Sequence, residues 1–288
     1  MKRKIVKIDT PPPHEGFLGS EHTARAVIET PYSYSDPFIL LMDDELDKTT
    51  DEPVGGPHPH AGFETVTLVL DGKMGDASHV FKKGDFQMMT AGSGVIHTET
   101  LEGKAKVRIL QLWLALPKEQ RWATPRVQNM TGVSVPTVSQ DGVEIRVYSG
   151  SLAGVTSPVQ NHTPVIIADF QLQPGATTVQ YIPASYNAFL YVTNGSVEIG
   201  DEQQVLNNGQ VGWLDKTSGD IQSELVLKAG ETGARITLYA GEPHGDEIVS
   251  YGPFIGDTKD DIARLYNDYR QGKIKHISTL PDSQVMNY

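Results

Sequence analysis

The sequence predicts an all-β protein built from two related β-barrel domains and a short C-terminal helix, and three observations carry that prediction. Short runs of Val, Ile, Thr, Phe and Tyr alternate with turn-forming stretches drawn from 28 Gly and 18 Pro in 288 residues, the composition of many strands joined by tight connections. The same pieces then recur in the same order. Asp71-Gly72 and Asn194-Gly195 lie 123 positions apart, and Gly84 and Gly209 lie 125 apart, so the second half reads as a copy of the first. Between the copies, residues 117–139 are rich in Pro, Thr, Gln and Gly and lack strand rhythm, as a linker does. The expected division is 1–131 and 132–288.

Taken in order, Ile39-Leu-Leu-Met42 opens the pattern, and the acidic stretch from Asp43 to Pro57 reads as a loop. Glu64 to Leu70 (ETVTLVL) has strand composition, and Asp71-Gly72 is the dipeptide of a tight hairpin turn. Val80-Phe81, a turn at Lys82-Lys-Gly-Asp85, Phe86 to Thr90, the glycine-punctuated Ala91-Gly-Ser-Gly94 and Val95 to Thr98 follow. Lys106 to Leu116 alternates as a buried strand. The second half repeats this with Ala188 to Thr193, Val205 to Val211 and Gly212 to Asp215. Near the C-terminus, Asp257 or Thr258 can cap a helix whose stripe is Ile262, Leu265, Tyr266 and Tyr269 and which Gly272 ends. That helix is assigned to the C-terminal domain as a core-covering element.

Composition excludes several function classes. The formal charge of −12 repels phosphate backbones, so direct nucleic-acid binding is not expected. No apolar run approaches the length that crosses a bilayer, and no signal-peptide core follows Met1-Lys-Arg-Lys4. The expected location is cytoplasmic, with no membrane partner. With no cysteine, any metal must rest on His, Asp or Glu.

One constellation carries chemistry. His58-Pro-His60 places two imidazoles on one face of a strand, and Glu64 shares their parity if no bulge intervenes. His97-Thr-Glu99 repeats the device with an imidazole and a carboxylate. Two such strands side by side make a four-ligand pocket of His58, His60, His97 and Glu99. Imidazoles with one carboxylate suit Fe, Mn, Co, Ni, Cu or Zn, whereas Ca and Mg want an all-oxygen shell. Glu64 can be a fifth ligand, an acceptor that holds an imidazole tautomer, or a paired carboxylate at the barrel mouth. His79 reads as a solvated or core histidine, and His14, His22, His162, His244 and His276 have no partner at ligand spacing. Shifting the first ligand set by 123 gives Tyr181, Pro183 and Asn187, and shifting the second by 125 gives Gln222 and Glu224. The second copy therefore lacks the site, and one metal per chain is expected.

The segments PHPHAGFETVTLVLDG and KGDFQMMTAGSGVIHTE resemble the pirin family of the cupin superfamily, whose patterns are HPHxGFETVT and GDxQxMTAGxGxxHSE. The chain departs at Ala61, Phe86, Met88, Ser93 and Thr98, none at a ligand position. GEPHGDEIVSYGPFIGDT from Gly241 is similar to the family's GEPxxEPVxxxGPFVMNT. The resemblance runs from Asp36 to Gly272, and residues 274–288 look individual. It implies a bicupin, two double-stranded β-helix barrels, with one metal, most often iron as Fe(II), in the N-terminal barrel on the residues matching His58, His60, His97 and Glu99. It further implies quercetin 2,3-dioxygenase activity in some members: O2-dependent ring cleavage of a flavonol with release of carbon monoxide. Glu99 would then be the base that takes the flavonol hydroxyl proton, with Glu64 in reserve. The family also implies an alternative, a non-enzymatic iron-dependent regulator that binds a protein partner. A metal-dependent sugar isomerase on the same ligands ranks last, because no Lys and Arg cluster for a sugar phosphate is present.

Overall fold

A computed structural model describes residues 2–16, 18–75, 80–219 and 221–288. The strands that matter below are, in chain order, β1 (Gly19–Ala26), β2 (Phe38–Lys48), β3 (Pro57–His60), β4 (Phe63–Gly75), β5 (Phe86–Thr90), β6 (Val95–Thr98), β7 (Ala105–Ala115) and β8 (Arg126–Met130), then β9 (Val143–Ser149), β10 (Val165–Leu172), β11 (Thr177–Pro183), β12 (Asn187–Ile199), β13 (Val211–Leu214) and β14 (Gln222–Gly241). Helix α1 (Lys259–Arg270) and the short strands β15 (Lys275–His276) and β16 (Val285–Asn287) close the chain. The all-β class and the two cupin barrels expected from sequence are what the structure shows.

Two compact units form, and they are not the consecutive halves 1–131 and 132–288. One contains Pro13–Ser134 with His244–Tyr288; the other contains Met1–Pro12 with Val135–Pro243. Each terminus joins the barrel of the opposite half. Ile5–Asp9 pairs antiparallel with β13, so the first residues complete the C-terminal barrel. The helix expected there belongs instead to the N-terminal unit, where Ile262 and Leu265 pack with Ala61, Phe254 and Ile274. Its start is as read from sequence: Thr258 and Asp261 form a reciprocal capping box.

In the N-terminal barrel a large sheet runs β1-β2-β7-β4-β5-β8-β16, and a small sheet runs β15-β6-β3. The acidic stretch read as a loop is half strand, since β2 continues through Asp43 to Lys48 between β1 and β7. Its charge is tolerated there because Asp43, fully buried, receives two hydrogen bonds of 2.8 Å from the Arg108 guanidinium. The stretch read as linker is also partly barrel: β8 pairs antiparallel with β5, Val127 opposite Met89.

Asp71-Gly72 does not turn the chain. Strand β4 runs on to Gly75, and its register against β7 shifts between Arg108 and Ile109. Gly72 sits at φ +78° where a Cβ would collide with the Lys106 carbonyl oxygen. Asn194-Gly195 does the same in β12, with Gly195 at φ +70° against the Gly233 carbonyl. A glycine with positive φ serves a bulge as well as a hairpin turn, so the repeated dipeptide marks a matched bulge in two long strands and not a turn.

The C-terminal barrel has the sheet order β13-β12-β14-β10-β9, with β11 on β14. Its interior is one apolar cluster that includes Ile182, Leu190, Leu225, Leu227, Ile236 and Leu238.

Candidate metal centre

Strands β3 and β6 pair antiparallel, His58 directly opposite His97 and His60 opposite Val95. Residues i and i+2 of a strand share a face, so His58, His60 and His97 all project from the inner side of the small sheet. His60 and His97 are buried, at 5% and 2% exposure. Their ring centroids stand 4.3 to 5.0 Å apart, and a donor nitrogen of each ring lies within 4.8 Å of the other two. The Nε2 atoms of His58 and His97 are 2.8 Å apart. Two imidazole nitrogens on one divalent ion, each at about 2.1 Å and at right angles, stand about 3 Å apart. His58 donates from Nδ1 to the Gly56 carbonyl at 2.9 Å, which leaves its Nε2 lone pair free to ligate. Burial, reinforced by the neighbouring imidazoles, pushes His60 and His97 down to about 3, so both are in the neutral form that binds metals. The donor set fits a transition-metal ion.

Glu99 follows directly on β6. It is not within the tight group of three imidazoles, but it lines the two cavities that flank them. Its Oε1 lies 3.3 Å from the Thr67 hydroxyl, which in turn donates to Gln111 Oε1 at 2.8 Å. Burial pushes the Glu99 carboxyl up, against the opposite pull of His58 and Thr67. One cavity, about 730 Å³, is walled by His58, His60, Glu99, Gln111 and Trp113. The other, about 370 Å³, is walled by His97, Glu99, Thr67, Gln87 and Asn129.

The pirin family model matches residues 21–114, and the model of the pirin C-terminal cupin domain matches residues 167–275. The chain belongs to the pirin family. Pirin-like protein 2 of Arabidopsis thaliana is 36% identical over 263 residues, covering 86% of this chain and 78% of its own length. The pirin of Homo sapiens is 34% identical over 249 residues, with coverage of 83% and 82%. A crystal structure of a quercetin 2,3-dioxygenase from Acinetobacter baumannii superposes with a TM-score of 0.81 at 27% identity, covering 95% of this chain and 98% of that one.

In this pirin the structure does not bring Glu64 to the histidines. The chain changes strands at Ala61-Gly62, and β4 starts a new alternation in which Phe63, Thr65 and Thr67 face inward: Phe63 packs on the His60 ring at 5.2 Å, and Thr67 meets Glu99. Glu64 points to the other face of the sheet, where its Oε1 accepts from the Thr90 hydroxyl at 2.6 Å. Parity counted across a strand break gave the wrong face. His79 lies outside the described residues. His22, read as structural, pairs through Nε2 with Asp44 at 2.8 Å. The residues missed from sequence are Thr67, Gln87, Gln111, Trp113, Asn129 and His276. The signal for the first five was the inward parity of their strands, which pairing of β4 with β5 and β7, and of β5 with β8, fixes and the sequence alone does not. Among the described residues, no helix is long and apolar enough to cross a membrane.

Proposed function

We propose that this pirin holds one divalent transition metal, Fe(II) in its active form, on His58, His60 and His97 with Glu99 as the fourth ligand, and that it cleaves a flavonol-type ring with O2. The observation that carries the metal is the convergence of three imidazole donors within 4.8 Å inside one barrel. The similarity to a quercetin 2,3-dioxygenase supports the reaction class. When bound, the metal would supply Lewis acidity and redox access to O2. The chain's own residues do the rest. His58 is held in its ligating tautomer by Gly56, and Thr67 with Gln111 orients the Glu99 carboxyl. Because Glu99 lines both cavities, it is placed to accept the proton of an acidic hydroxyl from a ligand in either one. Trp113, whose ring lies 5.3 Å from that of His60, offers an aromatic wall to a flat substrate.

The test is aerobic quercetin turnover by protein loaded anaerobically with Fe(II), with carbon monoxide quantified in the headspace and metal content measured in parallel. Carbon monoxide equal to quercetin consumed, lost in Glu99→Gln, is the expected result. Full iron occupancy without turnover would overturn the dioxygenase reading and leave the metal assignment standing.

A further inference from the structure

The family model ends at residue 275, yet the thirteen residues after it are built into the metal-bearing barrel. Strand β15 pairs in parallel with β6, Lys275 opposite Val95 and His276 opposite Ile96, so it extends the small sheet that carries the three histidines. After eight intervening residues, β16 pairs in parallel with β8, Val285 opposite Val127, on the edge of the large sheet. The tail thereby bridges the two sheets. Ile277 and Leu280 pack on the Met89, Ala91, Val95 and Val127 cluster. The last residues are anchored: Asn129 Nδ2 donates to Asn287 Oδ1 at 2.9 Å, the Tyr288 amide donates to the Asn129 carbonyl at 2.9 Å, and the Tyr288 hydroxyl donates to Gln128 at 3.2 Å.

The tail also furnishes the wall of the cavity beside His97, where His276, Ile277, Ser278, Leu280, Asp282 and Val285 all line the space. The Ser278 amide donates to His276 Nδ1 at 3.2 Å, which places the ring proton on Nε2, and that atom donates to the Thr98 hydroxyl at 2.9 Å. Thr98 sits between His97 and Glu99 in the chain. The tail's first side chain is thus tied to the ligand strand itself. Opposite it, Gln87 donates to Asn129 at 2.8 Å, so the cavity is polar at one edge and apolar where Leu280, Ile277 and Val127 line it.

We infer that residues 276–288 are the substrate-selecting wall of the metal chamber, and that they admit a planar hydroxylated aromatic ligand while excluding bulkier conjugates of it. This rests on the metal reading above and deepens it: the barrel brings the ligands, and the tail sets what can stand beside them. The space of about 370 Å³ is within the size range of small-molecule sites, and its mixed lining matches a flat apolar body with hydroxyls on its rim.

The test uses the full chain loaded with Zn(II), so that binding is read without turnover. Leu280→Trp, which puts bulk into the chamber, and a chain ending at His276 are compared with the wild type. Quercetin and its 7-O-glucoside are titrated optically, and zinc release to 1,10-phenanthroline is timed. Leu280→Trp should weaken quercetin binding by about tenfold or more at unchanged zinc content, and the shortened chain should admit the glucoside and release zinc about tenfold faster. Unchanged binding and release in Leu280→Trp at full zinc content overturns the inference, whether or not the shortened chain folds. A wild type that holds no zinc removes the metal reading and this inference with it. A wild type that holds zinc without binding quercetin removes the flavonol reading, and the zinc-release rates then decide the wall alone.

Discussion

At matched strand positions the N-terminal barrel lines its inward face with polar groups where the C-terminal barrel, Gln180 apart, carries aliphatic ones. In the N-terminal barrel His58 stands opposite His97 across β3 and β6; in the C-terminal barrel Gln180 stands opposite Leu225 across β11 and β14. The next inward position holds His60 in one and the buried Ile182 in the other, and Leu227 occupies the place of Glu99. On the facing sheet Thr67 opposite Gln111 becomes Leu190 opposite Leu238, and Thr65 opposite Trp113 becomes Ala188 opposite Ala240. The framework outside these faces is kept. Asp43 and Arg108 form a two-pronged pair, and so do Asp169 and Arg235, both aspartates fully buried. The strand scaffold therefore stands without the polar interior, and the polar interior is a local demand of function placed on that scaffold.

The comparison is broken most directly at the ligands. His58→Ala or His97→Ala should lower metal affinity by about 10³ or more, roughly 4 kcal/mol, with the barrel still folded. Leu225→Ala should leave metal content untouched. Metal analysis after dialysis reads this, and full occupancy in His97→Ala would sink the assignment.

The shared framework is probed next. Arg108→Ala and Arg235→Ala each remove the two-pronged partner of a fully buried carboxylate, which Arg25 at 4.0 Å from Asp43 and the Arg146 charge near Asp169 do not replace, so each should cost about 3 kcal/mol in denaturant unfolding of its own barrel. Near-equal losses are expected if the duplication reaches this pair. A loss confined to one barrel would show that the two pairs do different work.

How much of this was legible in the sequence differs by kind of feature. His-x-His and His-x-Glu are local patterns, so period-two alternation within one strand was enough to place His58, His60 and His97 on a common face. Glu64 failed because parity does not survive the strand break at Ala61-Gly62. The empty copy was read correctly as lacking the histidines, but by fixed offsets that gave Tyr181, Pro183 and Glu224. Tyr181 is 59% exposed; the inward residues are Gln180, Ile182, Leu225 and Leu227. Small insertions between strands move the offset, and only pairing shows where. The exchanged termini were invisible for a similar reason, since which barrel an end strand joins is a long-range choice that no local pattern encodes.

The interior polarity itself offers a smaller, paired test. Leu238→Gln puts an amide into the apolar cluster of the C-terminal barrel and should cost about 2–3 kcal/mol. Gln111→Leu, the reverse change at the matched position, removes a side chain whose partner Thr67 can still turn to Glu99, and should cost less than about 1 kcal/mol. Thermal unfolding of the metal-free proteins makes the comparison. Equal costs would mean that the N-terminal interior is as intolerant of apolar filling as the C-terminal one is of polar groups.

The smallest expected effect concerns Glu64, which the C-terminal copy replaces with Asn187 at the matching offset. Glu64 is fully buried, and burial pushes its carboxyl up to about 7, against the pull of the Thr90 hydrogen bond and the Arg126 charge. Below the ordinary carboxylate range both the folded and unfolded chains carry the proton, and the group adds no pH dependence. From about 4.5 to 7 the unfolded chain gives up its proton while the folded chain keeps it, so stability falls as pH rises and levels off above 7. Glu64→Gln keeps the shape and cannot ionise. Its stability relative to wild type should therefore rise by about 2 kcal/mol between pH 5 and pH 8, since any misfit of the amide beside Arg126 is the same at both pH values and drops out of the difference. A relative stability that is flat across that window would mean Glu64 is ionised in the folded chain and paired with Arg126, which would make this face of β4 an ion-pair site like that of Asp43 and Arg108.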